Sequence, residues 1–293
     1  MRAQLVPVFL ITCSAFSSAQ SLPADNRGGF EFLPAHQLVP PLVADYQEPR
    51  MGIRKQLGTS RLKLDIGNSL DFLALADSSG TDILHFGVDF FTYALTTSSE
   101  GLRLQVDAVD GYFGGHIALR DRGENSERIL RLRLLHLSGH LIDGHWDPAL
   151  QQWKDGKQPI PYTRDFIELL GAYSFFGRAL ALKVYSGFSY TAHERPANLA
   201  RWGTLHGVEL HSTGLFGPVL GKPFTLYLAD HLSVSGIPTY YGTNNLESGA
   251  KFGAWEGAGI KLYVSYYDGL EPFSQYFYAR TREWGAGFAF DFW

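Results

Sequence analysis

Only one cysteine, Cys13, occurs among the 293 residues, and it lies in the first twenty. A chain that loses this leader has no thiol, which excludes disulfides, thiol catalysis and cysteine-held zinc or iron–sulfur centres. Long apolar runs are also missing. None beyond residue 20 approaches the roughly 20 residues that a membrane-spanning helix needs. Positive charge is scarce, with 25 Lys and Arg against 29 Asp and Glu and a formal net charge of −4. The clustered basic excess of a nucleic-acid binder is therefore absent. No pattern of residues points to a cofactor or to a resident metal.

Glycine (32), phenylalanine (21), tyrosine (15) and tryptophan (6) are abundant. Many aromatics and glycines with few apolar runs suit a membrane barrel, although a soluble β-sandwich could share the composition. The N-terminus reads as a secretory signal peptide over residues 1–19. Met1-Arg2 is followed by the apolar stretch Leu5 to Ile11 and by Ser17-Ser18-Ala19, with cleavage expected near Ala19. Lipid attachment at Cys13 is the rival reading, and Leu10-Ile11-Thr12 before it lacks the expected small residue. Residues 20–57 contain Pro34, Pro40, Pro41 and Pro49, which break any long element. They are expected to form a periplasmic lead-in or plug.

From about residue 61 the chain alternates. Charged Arg61, Lys63 and Asp65 interleave with Leu62, Leu64 and Ile66, and Leu84, Phe86, Val88 and Phe90 share one face. The same rhythm returns in Leu180-Leu182-Val184, Phe224-Leu226-Leu228 and Ile260-Leu262-Val264. Period-two alternation gives each strand one apolar and one polar face. Several segments run to ten residues or more, the length of a tilted membrane strand, whereas sandwich strands are usually shorter. The expected fold is all-β: an antiparallel transmembrane β-barrel over residues 58–293, with about 12 strands; eleven segments are read, and because single-chain bacterial barrels have even counts the expectation is ten or twelve, twelve preferred. The segment 274–293 reads either as one long strand or as a hairpin turning near Arg282-Glu283, and the hairpin would supply the twelfth strand. The end of the chain, Gly287 to Trp293, resembles the aromatic signal read by the barrel-assembly machinery, with Trp293 out of phase with Phe288, Phe290 and Phe292. The implied location is the outer membrane of a Gram-negative bacterium, with its lipids as partners.

One segment holds candidate chemistry. In Arg131 to Asp143, the residues His136, Ser138 and His140 share a face at strand spacing. Alternate residues on a strand lie about 7 Å apart at their Cα atoms, close enough for an imidazole to draw a proton from a serine hydroxyl. Leu130, Leu132 and Leu134 occupy the same parity, so an unbroken strand sends the histidines to the lipid face. A β-bulge near Leu134-Leu135 would turn them into the lumen and spare unpaired imidazoles from hydrocarbon. The bulge is the expected form, and lumenal or interface histidines without catalysis are the plainer reading.

The His136-x-Ser138 pair resembles that of outer-membrane phospholipase A and the barrel-type lipid A deacylase. That resemblance implies His136 as general base and Ser138 as nucleophile, with Asp165 or Glu168 as candidates to orient the histidine. A broader resemblance is to an uncharacterised bacterial outer-membrane family. It is carried by Leu42-Val43-Ala44-Asp45 with Glu48-Pro49-Arg50, by Val106-Asp107 through Arg120, by His136-Leu137-Ser138-Gly139-His140-Leu141, by Tyr162-Thr163-Arg164 with Glu168, and by Tyr266-Tyr267-Asp268-Gly269 with Ser274-Gln275. It implies an outer-membrane barrel and no activity. Gly139 and Ile142 depart from its pattern.

Three further expectations concern single residues. Arg164 and Glu168 share a face and can form a lumenal ion pair. His140, Asp143 and His145 could gather a cation in a loop, although loop polar residues are usually just solvated, while His206 and His211 have opposite parity and cannot form an adjacent metal pair on a regular strand. Tyr162, Tyr190, Trp202, Trp255, Tyr266, Tyr267 and Trp284 are expected in interfacial girdles. The functional expectation is an integral barrel with a crowded lumen and a structural, transport or envelope role. A lipid esterase and a secreted β-sandwich binding protein are the alternatives.

Overall fold

The computed structural model describes residues 29–77, 82–99, 103–141, 146–153, 156–197, 199–212, 214–236 and 239–292. The expected leader with Cys13 and Ala19, the loop residues Ile142, Asp143 and His145, and Trp293 lie outside these residues. Twelve antiparallel strands close into a barrel. They are β2 (Met51–Gln56), β3 (Arg61–Ala76), β4 (Asp82–Ser99), β5 (Arg103–Arg122), β6 (Ser126–Leu141), β9 (Thr163–Phe176), β10 (Leu180–Arg195), β11 (Trp202–Ser212), β12 (Phe224–Gly236), β13 (Tyr240–Gly253), β14 (Gly259–Leu270) and β15 (Arg280–Asp291). A short strand β1 (Phe30–Phe32) pairs with β3, and a small hairpin of β7 (Trp146–Asp147) and β8 (Gln152–Trp153) stands in the loop after β6.

One continuous sheet closed on itself excludes the two-sheet sandwich. Its closure runs through β2, which pairs with β15 on one side (Gly285 opposite Gln56) and β3 on the other (Lys55 opposite Leu62). That strand lies in the stretch expected as a lead-in, so the barrel begins at Met51 rather than at 58. The count of twelve is completed there and not at the C-terminus: Arg280–Asp291 is a single strand through Arg282 and Glu283. Met51 and Ile53 alternate with Gly52 and Arg54, but six residues just after Pro49 give only a faint period-two signal.

The alternation becomes two surfaces. On β6, Glu127, Ile129, Arg131, Arg133, Leu135 and Leu137 are buried inside, while Leu130 and Leu134 are exposed outside. The outward apolar set continues with Val184, Leu226, Leu228, Leu262, Val264 and Phe288. Tyr190 and Trp202 pack against each other outside with tilted rings, as do Tyr266 and Trp284. Tyr267 does not join them, since the neighbour of an outward residue must face the lumen, where it is 1% exposed. Trp255 packs over His211 and Tyr227, and Tyr162 packs against the lumenal aromatic cluster. These three leave the expected girdles.

The lumen is filled by residues 34–50, which thread it as a plug. Glu48 is clasped by Arg131 and by Arg133 (3.3 Å), and Arg133 also holds Glu168 at 2.8 Å. Arg50 meets Glu247 at 2.9 Å, and Asp45 lies 3.7 Å from His231. Burial works against the Asp45 charge, yet His231, Arg133 and the Gln47 N–H hold its carboxyl below the ordinary value. Backbone groups of the plug are satisfied by the wall: Val43 N–H donates to Glu209 (2.7 Å) and Leu38 N–H to Asp71 (2.8 Å), while the Ala44 carbonyl accepts from Asn245 (2.6 Å). Below Leu38, His116 bridges Asp71 (2.8 Å) and Asp89 (3.0 Å). Gly87 makes room for that ring, because a Cβ there would lie 2.2 Å from it.

β3, β5, β9, β11 and β13 finish at the end where β2 begins and β15 stops, here the terminal end. β2, β4, β6, β10, β12 and β14 finish at the opposite, distal end. The expected grouping of 143–161, 193–202 and 235–245 against 175–176 and 255–256 matches this division. Strand pairing extends from Tyr240 to Gly253, so β13 begins earlier than expected.

Glu48→Ala leaves Arg131 and Arg133 sharing Glu168 alone. Removing one partner of a buried ionic group is expected to destabilise the barrel by about 3–5 kcal/mol. Urea unfolding in detergent micelles, followed by heat-modifiable gel mobility, measures the loss.

Candidate functional site

Strand β6 runs without a bulge. Leu134, Leu135 and His136 lie opposite Gly115, Gly114 and Phe113 on one side and opposite Ile167, Phe166 and Asp165 on the other. His136, Ser138 and His140 therefore face outward, and the expected rotation into the lumen at Leu134-Leu135 does not occur. Two interactions explain the regular form. Leu135 and Leu137 fill a lumenal cluster with Phe91, Tyr112 and Phe166, which a bulge would displace. The imidazoles also have partners outside, so their burden in an apolar setting is reduced.

Those partners come from the neighbouring strands. Asp165 on β9 stands directly opposite His136, its Oδ1 2.6 Å from Nδ1. Its other oxygen lies 3.3 Å from Nδ1 of His193 on β10. Ser138 Oγ is 3.0 Å from Nε2 of His140. The His136 ring packs against Phe113 with centroids 4.6 Å apart. The result is an outward patch with a carboxylate between two imidazoles and a serine hydroxyl bonded to a third.

Of the two acids expected beside the histidine, Asp165 is there. Glu168 has the other parity and sits in the lumen with Arg131 and Arg133. Arg164 is also lumenal and donates to Gln47 Oε1 (3.2 Å) with its guanidinium over Phe166, so the expected pair with Glu168 is not made. His206 points outward to Ser186 (2.9 Å), and His211 stacks on Trp255. His140 is bonded to Ser138, while the other two residues of the expected loop cation site lie outside the described residues. Among the described residues, no group of three His, Cys, Asp or Glu is arranged to hold a metal.

His193 was not singled out by the sequence, and a bulge explains why. Thr191 lies opposite Phe166 and His193 opposite Asp165, so Ala192 is an extra residue on β10. Up to Thr191 the odd positions face the lumen; beyond Ala192 they face out. Two glycines shape the surroundings. A side chain at Gly111, opposite Ser138, would meet nothing nearer than a carbonyl at 4.0 Å, so a recess lies beside the serine. Gly139 faces inward, where a Cβ would fall 2.3 Å from Ser274 Oγ in the distal cap. That cap is held by Asp110, which accepts from the N–H and hydroxyl of Ser274, both at 2.7 Å.

Chemically, the Ser138–His140 bond is the contact a serine needs for proton removal, and Asp165 fixes the His136 ring through Nδ1. Ser138 is hydrogen-bonded to His140 rather than to His136. Comparison with family models, characterised proteins and solved structures returned no match.

Cysteine placed at Ser138 is expected to react with a lipid-soluble maleimide in micelles, in a chain whose Cys13 is replaced by Ser. Cysteine at Ala108, a small residue 1% exposed on the lumenal side of β5, is expected to stay unlabelled. Mass spectrometry of the two products reads the outcome, and equal labelling refutes the outward assignment.

Proposed function

We propose that this chain is an integral outer-membrane barrel that works on its outer surface, as a serine hydrolase of acyl esters in the surrounding lipid. The observation that carries the reading is the unbulged β6. It leaves Ser138 bonded to His140, with His136 held by Asp165, just above the outward leucines Leu130, Leu132 and Leu134. Ionisable groups bordering an apolar band stand as a functional site by default. In this reading Ser138 is the nucleophile and His140 takes its proton. His136, steadied by Asp165, is placed to share that proton or to stabilise developing charge. The acyl carbonyl would enter over Gly111, whose bare backbone leaves space beside the hydroxyl.

Orientation supports the same reading. With the C-terminus on the periplasmic side, the distal end is extracellular, since bacterial barrels keep long connections outside. The site then lies toward the outer leaflet. Completing the count at Met51 rather than with a terminal hairpin is what keeps this direction. The plugged lumen argues against a general pore.

A second reading is a barrel without catalysis. It is favoured by a polar collar at the same end: Asn244 donates to Asp230 (2.8 Å) and Arg282 pairs with Asp268 (2.7 Å), all outside. Outward polar groups there serve the membrane interface whether or not they react.

Purified protein in phospholipid micelles is expected to release fatty acid, with Ser138→Ala abolishing release. Loss of a positioned general base lowers turnover about 10²–10⁴-fold, which is the expectation for His140→Ala. Equal release by wild type and Ser138→Ala leaves the collar reading standing. In planar bilayers the sealed lumen is expected to give no steady current, and open-channel conductance at moderate salt contradicts the plug as a seal.

A further inference from the structure

The bulge at Ala192 does more than bring His193 to Asp165. Because one inserted residue exchanges the faces of everything beyond it, it also turns Glu194 into the lumen. There Glu194 lies directly opposite Arg164 on β9. Both side chains line a cavity of about 110 Å³ at the distal mouth, which Asp45, Tyr46 and Gln47 of the plug also line.

Opposite charges that face each other across two strands ordinarily join. These two do not. The Arg164 guanidinium donates instead to Gln47 Oε1 (3.2 Å) and lies 4.2 Å from the centre of the Phe166 ring. Its Nε is buried and has no hydrogen-bond partner. Among the described residues, no carboxylate comes within 4.0 Å of Arg164 and no cation within 4.0 Å of Glu194. The other acids of the lining are engaged: Glu168 with Arg131 and Arg133, Glu271 with Arg61 (3.0 Å), and Asp45 beside His231 (3.7 Å). The cavity thus presents one uncommitted charge of each sign.

We propose that this cavity binds a small zwitterion of the α-amino-acid class, its carboxylate on Arg164 and its ammonium on Glu194. A guanidinium offers a carboxylate paired, planar donors, including the buried Nε. A carboxylate side chain only accepts, which suits the three donors of an ammonium. A simple anion would be repelled by Glu194 and a simple cation by Arg164, so a ligand carrying both charges is favoured over either. Binding sites set a few convergent polar groups in an apolar or aromatic wall, here Tyr112, Tyr162 and Phe166. A cavity of about 150 Å³ holds one benzene, so the ligand is short or leaves its side chain in the mouth. The site is separate from Ser138, which faces out through the wall, and it does not depend on the hydrolase reading.

Saturation-transfer NMR on the full chain in deuterated detergent tests this, with glycine, L-serine, acetate and methylammonium as probes. One or both amino acids are expected to bind, with acetate and methylammonium weaker by about tenfold or more. Arg164→Gln and Glu194→Gln are each expected to weaken amino-acid binding by a similar factor. Glu194→Gln is also expected to leave acetate binding unchanged or improved, which a merely structural role for Glu194 would not produce. Binding of neither amino acid by wild type overturns the proposal, as does acetate binding equal to theirs. Unchanged amino-acid affinity in Glu194→Gln overturns it too. Heat-modifiable mobility checks that each variant folds. If Arg164→Gln does not, the exposed-side variant Glu194→Gln and the acetate comparison decide by themselves.

Discussion

Four charges inside the barrel set the phase of strand β6, and the rest of the outer surface follows from it. Arg131 and Arg133 point inward to Glu48 of the plug and Glu168 of β9. Moving the strand by one residue would put both guanidinium groups on the apolar exterior and press leucines into the ionic lumen. Such a slip leaves uncompensated charge on both sides of the wall, so the register is strongly specified. Since side chains alternate strictly, fixing Arg131 and Arg133 inward also fixes His136, Ser138 and His140 outward. The site on the outside is thereby held by an interaction on the inside.

Strand β10 solves the opposite problem. Its lower half is phased by Lys183, which reaches Glu209 in the lumen at 3.4 Å, and by Tyr185, which meets His231 at 3.0 Å. Continued regularly, that phase would bury His193 and Arg195. The extra Ala192 exchanges the faces where β10 comes level with Asp165. A bulge thus supplies the third strand of the patch, and the histidine strand itself needs none.

The alternation of Leu130, Leu132 and Leu134 with Arg131 and Arg133 was sufficient to read β6 correctly, and the barrel was legible from the same signal in its neighbours. The bulge expected at Leu134-Leu135 is absent because the imidazole is not isolated: Asp165 stands beside His136, a place that depends on pairing across a long loop. Asp165 could be shortlisted by its nearness in sequence to Tyr162-Thr163-Arg164, but nothing in the sequence separates it from Glu168 until parity is known. The Ala192 bulge leaves no signature, because His193-Glu194-Arg195 is polar in either phase. β2 was hidden for a simpler reason: its six residues follow a proline-rich run and alternate over only three pairs.

The plug also constrains the order in which the molecule can form. Val43 contacts Glu209, Arg50 contacts Glu247 and Asn245 contacts Ala44, at sequence separations of 166, 197 and 201 residues. Contacts so distant along the chain form late and slowly, since the loop entropy is lost before any contact repays it. Yet the plug runs directly into β2, the strand whose pairing with β15 seals the cylinder. Plug and seam are therefore joined by one stretch of chain, so the ion pairs that seat residues 34–50 also fix where β2 must meet β15.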